Sequence, residues 1–145
     1  MSLSKDYWIL LALKYAPLDR IHLMKALFLV WYRSGKNIPS YFEFEPYLYG
    51  PCSLELYRSI DNLLKEGLII QAPHSIQEWS NYYLTSKGKE KVDELVGQVD
   101  KNLLKTIQSV VAQLSGLGFH KLLEIVYSEA PEFAVNSLAK GIITK

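Results

Sequence analysis

Four polar residues with side chains suited to reading DNA recur at helical spacing: Arg58, Ser59, Asn62 and Lys65. Arginine can donate two parallel hydrogen bonds to guanine, and asparagine can pair in the same way with adenine. If residues 54–66 form a helix in the major groove, Arg58 and Asn62 would read bases, with Ser59 and Lys65 near phosphates. All four are expected on the outer face, where such residues are also common without any DNA-binding role.

The charge of this segment argues against DNA binding. Residues 53–80 carry two basic and four acidic side chains, and residues 73–80 contain neither lysine nor arginine. An element that reads DNA is expected to be the most basic part of a protein, because it neutralises phosphates. Over the whole chain, 16 Lys and Arg stand against 15 Asp and Glu, which excludes a polybasic protein.

An aromatic segment around Tyr47 and Tyr49 offers a different chemistry, the binding of a partner protein. It has a sufficient architectural explanation, since Gly50 permits a positive φ and Ser53 can cap the next helix. The two tyrosines would then pack on the second and third helices. Alternatively, they form with Trp79 an exposed aromatic surface for a partner, although Trp79 could equally pack back on the core.

Residues for catalysis or metal binding are poorly placed. His22, His74 and His120 lack the spacing of a metal site, and the chain contains no glycine-rich phosphate loop. Cys52 is the single cysteine, which excludes a disulfide framework, and it is expected to be a buried thiol. The sequence therefore predicts no enzyme, no metal and no cofactor.

The elements that position these residues are mainly helices. A chain of 145 residues with 49% hydrophobic and 21% charged residues predicts one globular domain. Apolar residues at intervals of three and four, with Asp19 and Thr85 or Ser86 as helix caps, predict most of the helices. The helices are expected at residues 4–16, 20–34, 54–66, 86–95, 101–114 and 120–128, and the strands at 42–45, where Pro46 would end the strand, 68–70 and 81–84.

Three helices followed by strand, loop and strand is the order of a winged helix, a variant of the helix-turn-helix motif. We therefore expect a mainly α fold with a small β-hairpin, composed of a winged-helix-like core plus C-terminal helices. Residues 1–92 would form the winged-helix-like domain, with an aromatic insertion at 37–52. Residues 93–145 would form a helical extension that packs on the core or on a second copy of the chain.

Three motifs occur here in the order found in a known family. They are residues 23–29 (LMKALFL), 49–53 (YGPCS) and 122–133 (LLEIVYSEAPEF). Together they resemble the Panacea-type antitoxin domain and the related YwgA-like proteins. The resemblance implies a winged-helix-like fold and, for Panacea-type members, the neutralisation of toxins. The YwgA-like branch, which this chain resembles more, has no settled biochemical function.

Two functions follow as expectations. The first is a DNA-binding, transcriptional-regulator-like protein, favoured by the expected fold. The second is a protein-interaction module of antitoxin or adaptor type that binds a partner protein such as a toxin. The breadth of apolar surface on the second and fifth helices also suggests a homodimer. The N-terminal apolar run, residues 7–13, is too short for a membrane span, so we expect a cytoplasmic protein without membrane contact.

Overall fold

Six α-helices make up most of the structure, a computed structural model that describes residues 3–73 and 80–134. The mainly α fold with a small β-hairpin is confirmed. Trp79 lies outside the described residues. The helices are α1 Asp6–Leu13, α2 Arg20–Arg33, α3 Leu54–Lys65, α4 Ser86–Val96, α5 Lys101–Leu114 and α6 Phe119–Glu129, followed by a 3-10 helix, Pro131–Ala134.

Among the described residues, short strands form two antiparallel sheets. They are β1 Leu18–Asp19, β2 Glu45–Tyr47, β3 Gly50–Cys52, β4 Ile69–Pro73 and β5 Ser80–Leu84. The first sheet has the order β1-β5-β4, so the hairpin of β4 and β5 lies beside the two-residue β1. The second sheet is the hairpin of β2 and β3, which we call the aromatic hairpin.

The strand predicted at residues 42–45 is wrong for residues 42–44, although their alternation of buried and exposed residues is observed. Only Glu45 lies in a strand, β2, which continues through Pro46 instead of ending before it. Among the described residues, no strand lies beside the segment 42–44 to pair with it. Side-chain hydrogen bonds hold the chain beside it instead: the Tyr41 hydroxyl donates to the Leu27 carbonyl at 2.6 Å. The Trp8 indole N–H donates to the Ser40 carbonyl at 3.0 Å. The alternating pattern therefore indicated which side chains face the core, but not a strand.

Helix α2 is the central element of the core. Its residues from His22 to Val30 are buried without interruption. An apolar run of this kind is expected in a helix that is covered on all sides, because no face is left for solvent. Helices α1, α5 and α6 pack against it, so the C-terminal helices contribute to the same core as the N-terminal ones.

Asp19 caps α2 as predicted, and its carboxylate also pairs with a buried histidine. The carboxylate accepts the backbone N–H of His22 at 2.8 Å and lies 2.8 Å from the His22 Nδ1. Burial alone would lower the pKa of His22, but the hydrogen bond and charge of Asp19 raise it. The other ring nitrogen lies 2.5 Å from the Leu117 carbonyl, so this pair ties α2 to the loop before α6.

Thr85 joins the end of α3, the β4–β5 hairpin and the start of α4. Its hydroxyl oxygen accepts the Gly88 N–H at 3.0 Å, which confirms it as the cap of α4. The same hydroxyl donates to the Gly67 carbonyl at 2.7 Å, and the Thr85 backbone N–H donates to the Leu68 carbonyl at 3.1 Å. One residue thereby links three elements through its hydrogen bonds.

Candidate binding site

The outer face of α3 carries three of the four residues predicted to contact DNA. Arg58, Asn62 and Lys65 are exposed on this helix. Their spacing of four and three residues places them along one stripe, because a helix turns once every 3.6 residues. The structure therefore leaves these three side chains accessible to a ligand.

Ser59 was expected on the same outer face, and this prediction is wrong. Only 4% of the residue is exposed, and its hydroxyl donates to the Asp6 carboxylate at 2.5 Å. Successive residues are turned by about 100° around a helix. Ser59 consequently faces α1, which packs against α3, while Arg58 faces solvent. The same carboxylate lies 3.4 Å from the Asn62 amide nitrogen.

Acidic side chains surround the start of α3. Glu55 pairs with Lys5 and accepts the backbone N–H of Glu43 at 3.1 Å. The hydrogen bond from Lys5 is the main cause that lowers the pKa of Glu55, so this carboxylate stays ionised. The charge of Arg58 also lowers the pKa of Glu55, so a carboxylate lies near this arginine, in agreement with the acidic character of the sequence in this region.

A cavity of about 590 Å³ lies beneath the aromatic hairpin. Its volume falls within the range of pockets that accept small molecules or side chains of a partner. Three segments distant in sequence form its walls, namely α2, the aromatic hairpin with the start of α3, and the start of α6. The residues that line it are Ile21, Lys25, Tyr47, Leu48, Tyr49, Gly50, Cys52, Leu54, Tyr57 and Phe119.

Most of the large exposed hydrophobic side chains of the described residues lie at the rim of this cavity. Among the described residues, five large hydrophobic side chains are exposed, and four of them line the cavity. Those four are Tyr47 at 39% exposure, Leu48 at 52%, Tyr49 at 47% and Leu54 at 58%. Scattered exposed hydrophobic residues are ordinary, whereas a contiguous patch around a cavity is typical of an interaction site.

Both tyrosines line the same cavity as residues of α2 and α3, but they are exposed rather than buried against these helices. The ring of Tyr49 meets Phe119 of α6 edge-on, with centroids 5.5 Å apart, and the ring of Tyr47 remains more than a third exposed. Their exposure on the rim is the arrangement expected if they belong to a partner-binding surface.

The positive φ expected at Gly50 is confirmed, at the residue where the turn of the aromatic hairpin meets β3. Its φ is +90°, a conformation that side chains with a Cβ rarely adopt. A Cβ at this position would also lie 3.0 Å from the Cε1 of Tyr127 in α6. Close packing on α6 therefore fixes the hairpin, which makes the cavity a preformed feature.

Ser53 does not cap α3, contrary to the sequence prediction. It precedes the helix, but its hydroxyl makes no hydrogen bond to the first-turn amides. The residue is 1% exposed and its backbone N–H points to the Met24 sulfur at 3.2 Å. Ser53 is held inward by this packing against α2, and its hydroxyl oxygen has no partner among the described residues.

Lys25 provides positive charge in an otherwise apolar wall. Only 5% of the residue is exposed, and its Nζ donates to the Pro51 carbonyl at 3.0 Å. Burial lowers the pKa of Lys25 to about 8, since water no longer solvates the ammonium. The sequence interpretation did not single out Lys25. A charged residue inside the apolar run LMKALFL was the signal that could have revealed it.

Cys52 and Tyr57 complete the floor beside Lys25. The Cys52 thiol was expected to be buried, but it is half-buried and lies 3.8 Å from the Tyr57 hydroxyl. Burial, followed by this hydrogen bond, raises the pKa of Tyr57 to about 12. The phenol therefore stays neutral at ordinary pH and does not offset the charge of Lys25.

Comparison with known proteins does not assign this site. No protein-family model matches the chain, and no curated protein shows significant similarity to it. In the two described segments, no helix has the length and apolarity needed to cross a membrane. Nor does any group of three His, Cys, Asp or Glu side chains there come close enough together to hold a metal ion.

Proposed function

We propose that the chain is a protein-interaction module of antitoxin or adaptor type, which binds a partner protein at the cavity beneath the aromatic hairpin. The observation that carries the proposal is the set of four exposed apolar side chains around a preformed cavity. Protein interfaces obtain most of their binding energy from a few large side chains that enter such cavities. The partner is expected to insert at least one aromatic or large aliphatic side chain.

Peptide selection tests this proposal and does not require the partner to be identified first. A linear peptide library displayed on phage is selected on the immobilised protein, and the enriched peptides are synthesised and titrated by fluorescence anisotropy. Leu54→Ser is expected to weaken their binding about tenfold, because it removes apolar area worth about 1.5 kcal/mol. Leu54 begins α3 with its side chain 58% exposed, so the substitution leaves the core intact.

Ile70→Thr is the matched control for this experiment. Ile70 in β4 is 52% exposed, close to the value for Leu54, but it does not line the cavity. Threonine keeps the β-branched shape that a strand prefers. Binding should therefore survive Ile70→Thr. Equal losses in both variants, or a library without enriched peptides, would refute the cavity as a protein-binding site.

We also propose DNA binding through α3 as a second candidate function. The order β1-β5-β4, with α3 directly before β4, supports a winged-helix-like arrangement in which the outer face of α3 reads DNA. The exposure of Arg58, Asn62 and Lys65 favours this candidate, whereas Glu55 and the burial of Ser59 weaken it. A fold alone does not establish a function.

Binding to fragmented genomic DNA across about 50 to 200 mM salt tests this second function. If α3 reads bases, Arg58→Ala is expected to weaken binding to enriched fragments about tenfold or more, since a bidentate base contact is worth about 1–3 kcal/mol. Lys105→Ala, which removes an exposed positive charge from α5, is the control and should change binding little. Absence of retention at the lowest salt would exclude DNA as the ligand.

A further inference from the structure

We propose that the cavity selects a partner segment in which a glutamate side chain lies beside a large apolar one, with the glutamate carboxylate bound by Lys25. This inference rests on the proposed protein-interaction function and specifies the chemistry of the segment. It assigns a binding role to Lys25. Neither the exposed aromatic rim nor the stability of the fold explains why a lysine lies at this position.

The Lys25 ammonium has more hydrogen-bond donors than the described residues accept. A lysine ammonium has three N–H donors, and the described residues accept one of them, at the Pro51 carbonyl. The residue nevertheless lines the cavity while being 5% exposed. An ammonium with donors to spare, held at the wall of a cavity, can bind an acceptor that enters from outside.

Lys25 also has no acidic side chain as an ion-pair partner among the described residues. None of the carboxylates in the described segments lies within ion-pair distance of Lys25. The titratable groups that line the cavity around it are the Cys52 thiol and the hydroxyls of Tyr47, Tyr49 and Tyr57. Buried charges are normally paired, because an isolated one is costly to desolvate. The cavity therefore presents a cation whose counter-ion is left to a ligand.

A glutamate side chain is the source of carboxylate that fits this cavity best. A glutamate side chain carries its carboxylate on an apolar stem, which suits the apolar walls, and it brings no peptide group into the cavity. A chain terminus would also bury a backbone N–H that then needs its own acceptor. A phosphate would bring about two negative charges against the single cation. An acidic side chain thus leaves the fewest polar groups unsatisfied.

The experiment extends the peptide selection. The library is displayed without free C-termini, and the synthetic peptides are amidated at the C-terminus. Replacing glutamate by glutamine in an enriched peptide is expected to weaken binding to the wild-type protein about tenfold or more, because it removes a charge-assisted hydrogen bond. The same replacement is expected to change binding less than about twofold in Lys25→Met, where the cation is missing.

The outcomes separate this inference from the proposed function. Peptides that need Leu54 but tolerate the loss of glutamate overturn the role of Lys25 and leave the interaction site standing. A requirement for a free C-terminal carboxylate also overturns it. Binding of octanoate without any peptide binding overturns both, since the ligand would then be a small molecule. Lys25→Met keeps an unbranched side chain one atom shorter than lysine and removes a buried charge, so the variant is expected to fold.

Discussion

Replacement of Gly88 by alanine is expected to lower the free energy of unfolding by about 3 kcal/mol or more, although alanine favours helices. A Cβ on Gly88 would lie 2.1 Å from the backbone oxygen of Leu68. That oxygen cannot move away freely because it accepts the Thr85 N–H, and the Leu68 N–H is bonded to the Leu63 carbonyl. The strain would open the joint between α3, β4 and α4.

Urea denaturation followed by far-UV circular dichroism measures this effect, with Gly97→Ala as the matched control. Gly97 lies at the end of the same helix with φ of −70°, and a Cβ there would meet no atom within 4 Å. Alanine at Gly97 should therefore be neutral or stabilising. If both variants unfold at the same urea concentration, close packing at Gly88 is not what requires glycine.

Local signals in the sequence predicted the helices well. Asp19 and Thr85 cap α2 and α4 because a cap depends on residues within one turn of the helix, and such residues are visible in the sequence. The amphipathic stripe of α5 likewise placed its ends at Lys101 and Leu114. These elements were predictable because each is specified by its own residues.

Predictions failed where a distant element decides the environment. Serine is a residue type expected at an exposed position, but α1 covers Ser59 and supplies the Asp6 carboxylate as its hydrogen-bond partner. Ser53 has the residue type of a cap, but packing against Met24 of α2 holds it inward. Phe42 and Phe44 alternate like a strand without a strand to pair with. None of these outcomes is encoded within a few residues of the position concerned.

The cavity could not be predicted from the sequence, for the same reason. Its walls come from residues 21–25, 47–57 and 119, which only the packing of α2, α3 and α6 brings together. The aromatic rim was foreseen at Tyr47 and Tyr49 as one of two alternatives, since hairpin residues of this kind can be either buried or displayed. Lys25 was not foreseen, because a charged residue in an apolar run is usually assigned to a solvated face.

Helix α3 contributes to both candidate surfaces, which makes their separation by mutation important. Leu54 and Tyr57 line the cavity, whereas Arg58 and Asn62 face outward on the neighbouring side of the helix. A ligand at one surface could therefore disturb the other through the helix they share. Single-site variants such as Leu54→Ser and Arg58→Ala distinguish the two, because each removes contacts from one surface only.

Lys25→Met is expected to raise the free energy of unfolding by about 2 kcal/mol near pH 7. The pKa of Lys25 is lowered from about 10.5 to about 8 by burial, which corresponds to a cost of about 3 kcal/mol for the charged form. Methionine avoids that cost but leaves the Pro51 carbonyl without its hydrogen bond, a loss of about 1 kcal/mol. The net effect is a more stable protein.

The difference in free energy of unfolding between Lys25→Met and the wild type is expected to depend on pH. Between pH 8 and 10.5 the unfolded chain binds a proton that the folded protein has released at Lys25, so wild-type stability rises with pH in this window. The advantage of Lys25→Met should therefore shrink from pH 7 to pH 10.5. Urea denaturation of both proteins at each pH measures the difference.

Lys105→Met serves as the control, because Lys105 in α5 is exposed and its replacement removes no buried charge. It should show no gain that depends on pH. A Lys25→Met variant less stable than the wild type at pH 7 would show instead that Lys25 is retained for its bond to Pro51. A gain in stability would mean that the natural lysine lowers the stability of the fold. Such a loss is expected of a residue that is retained for binding.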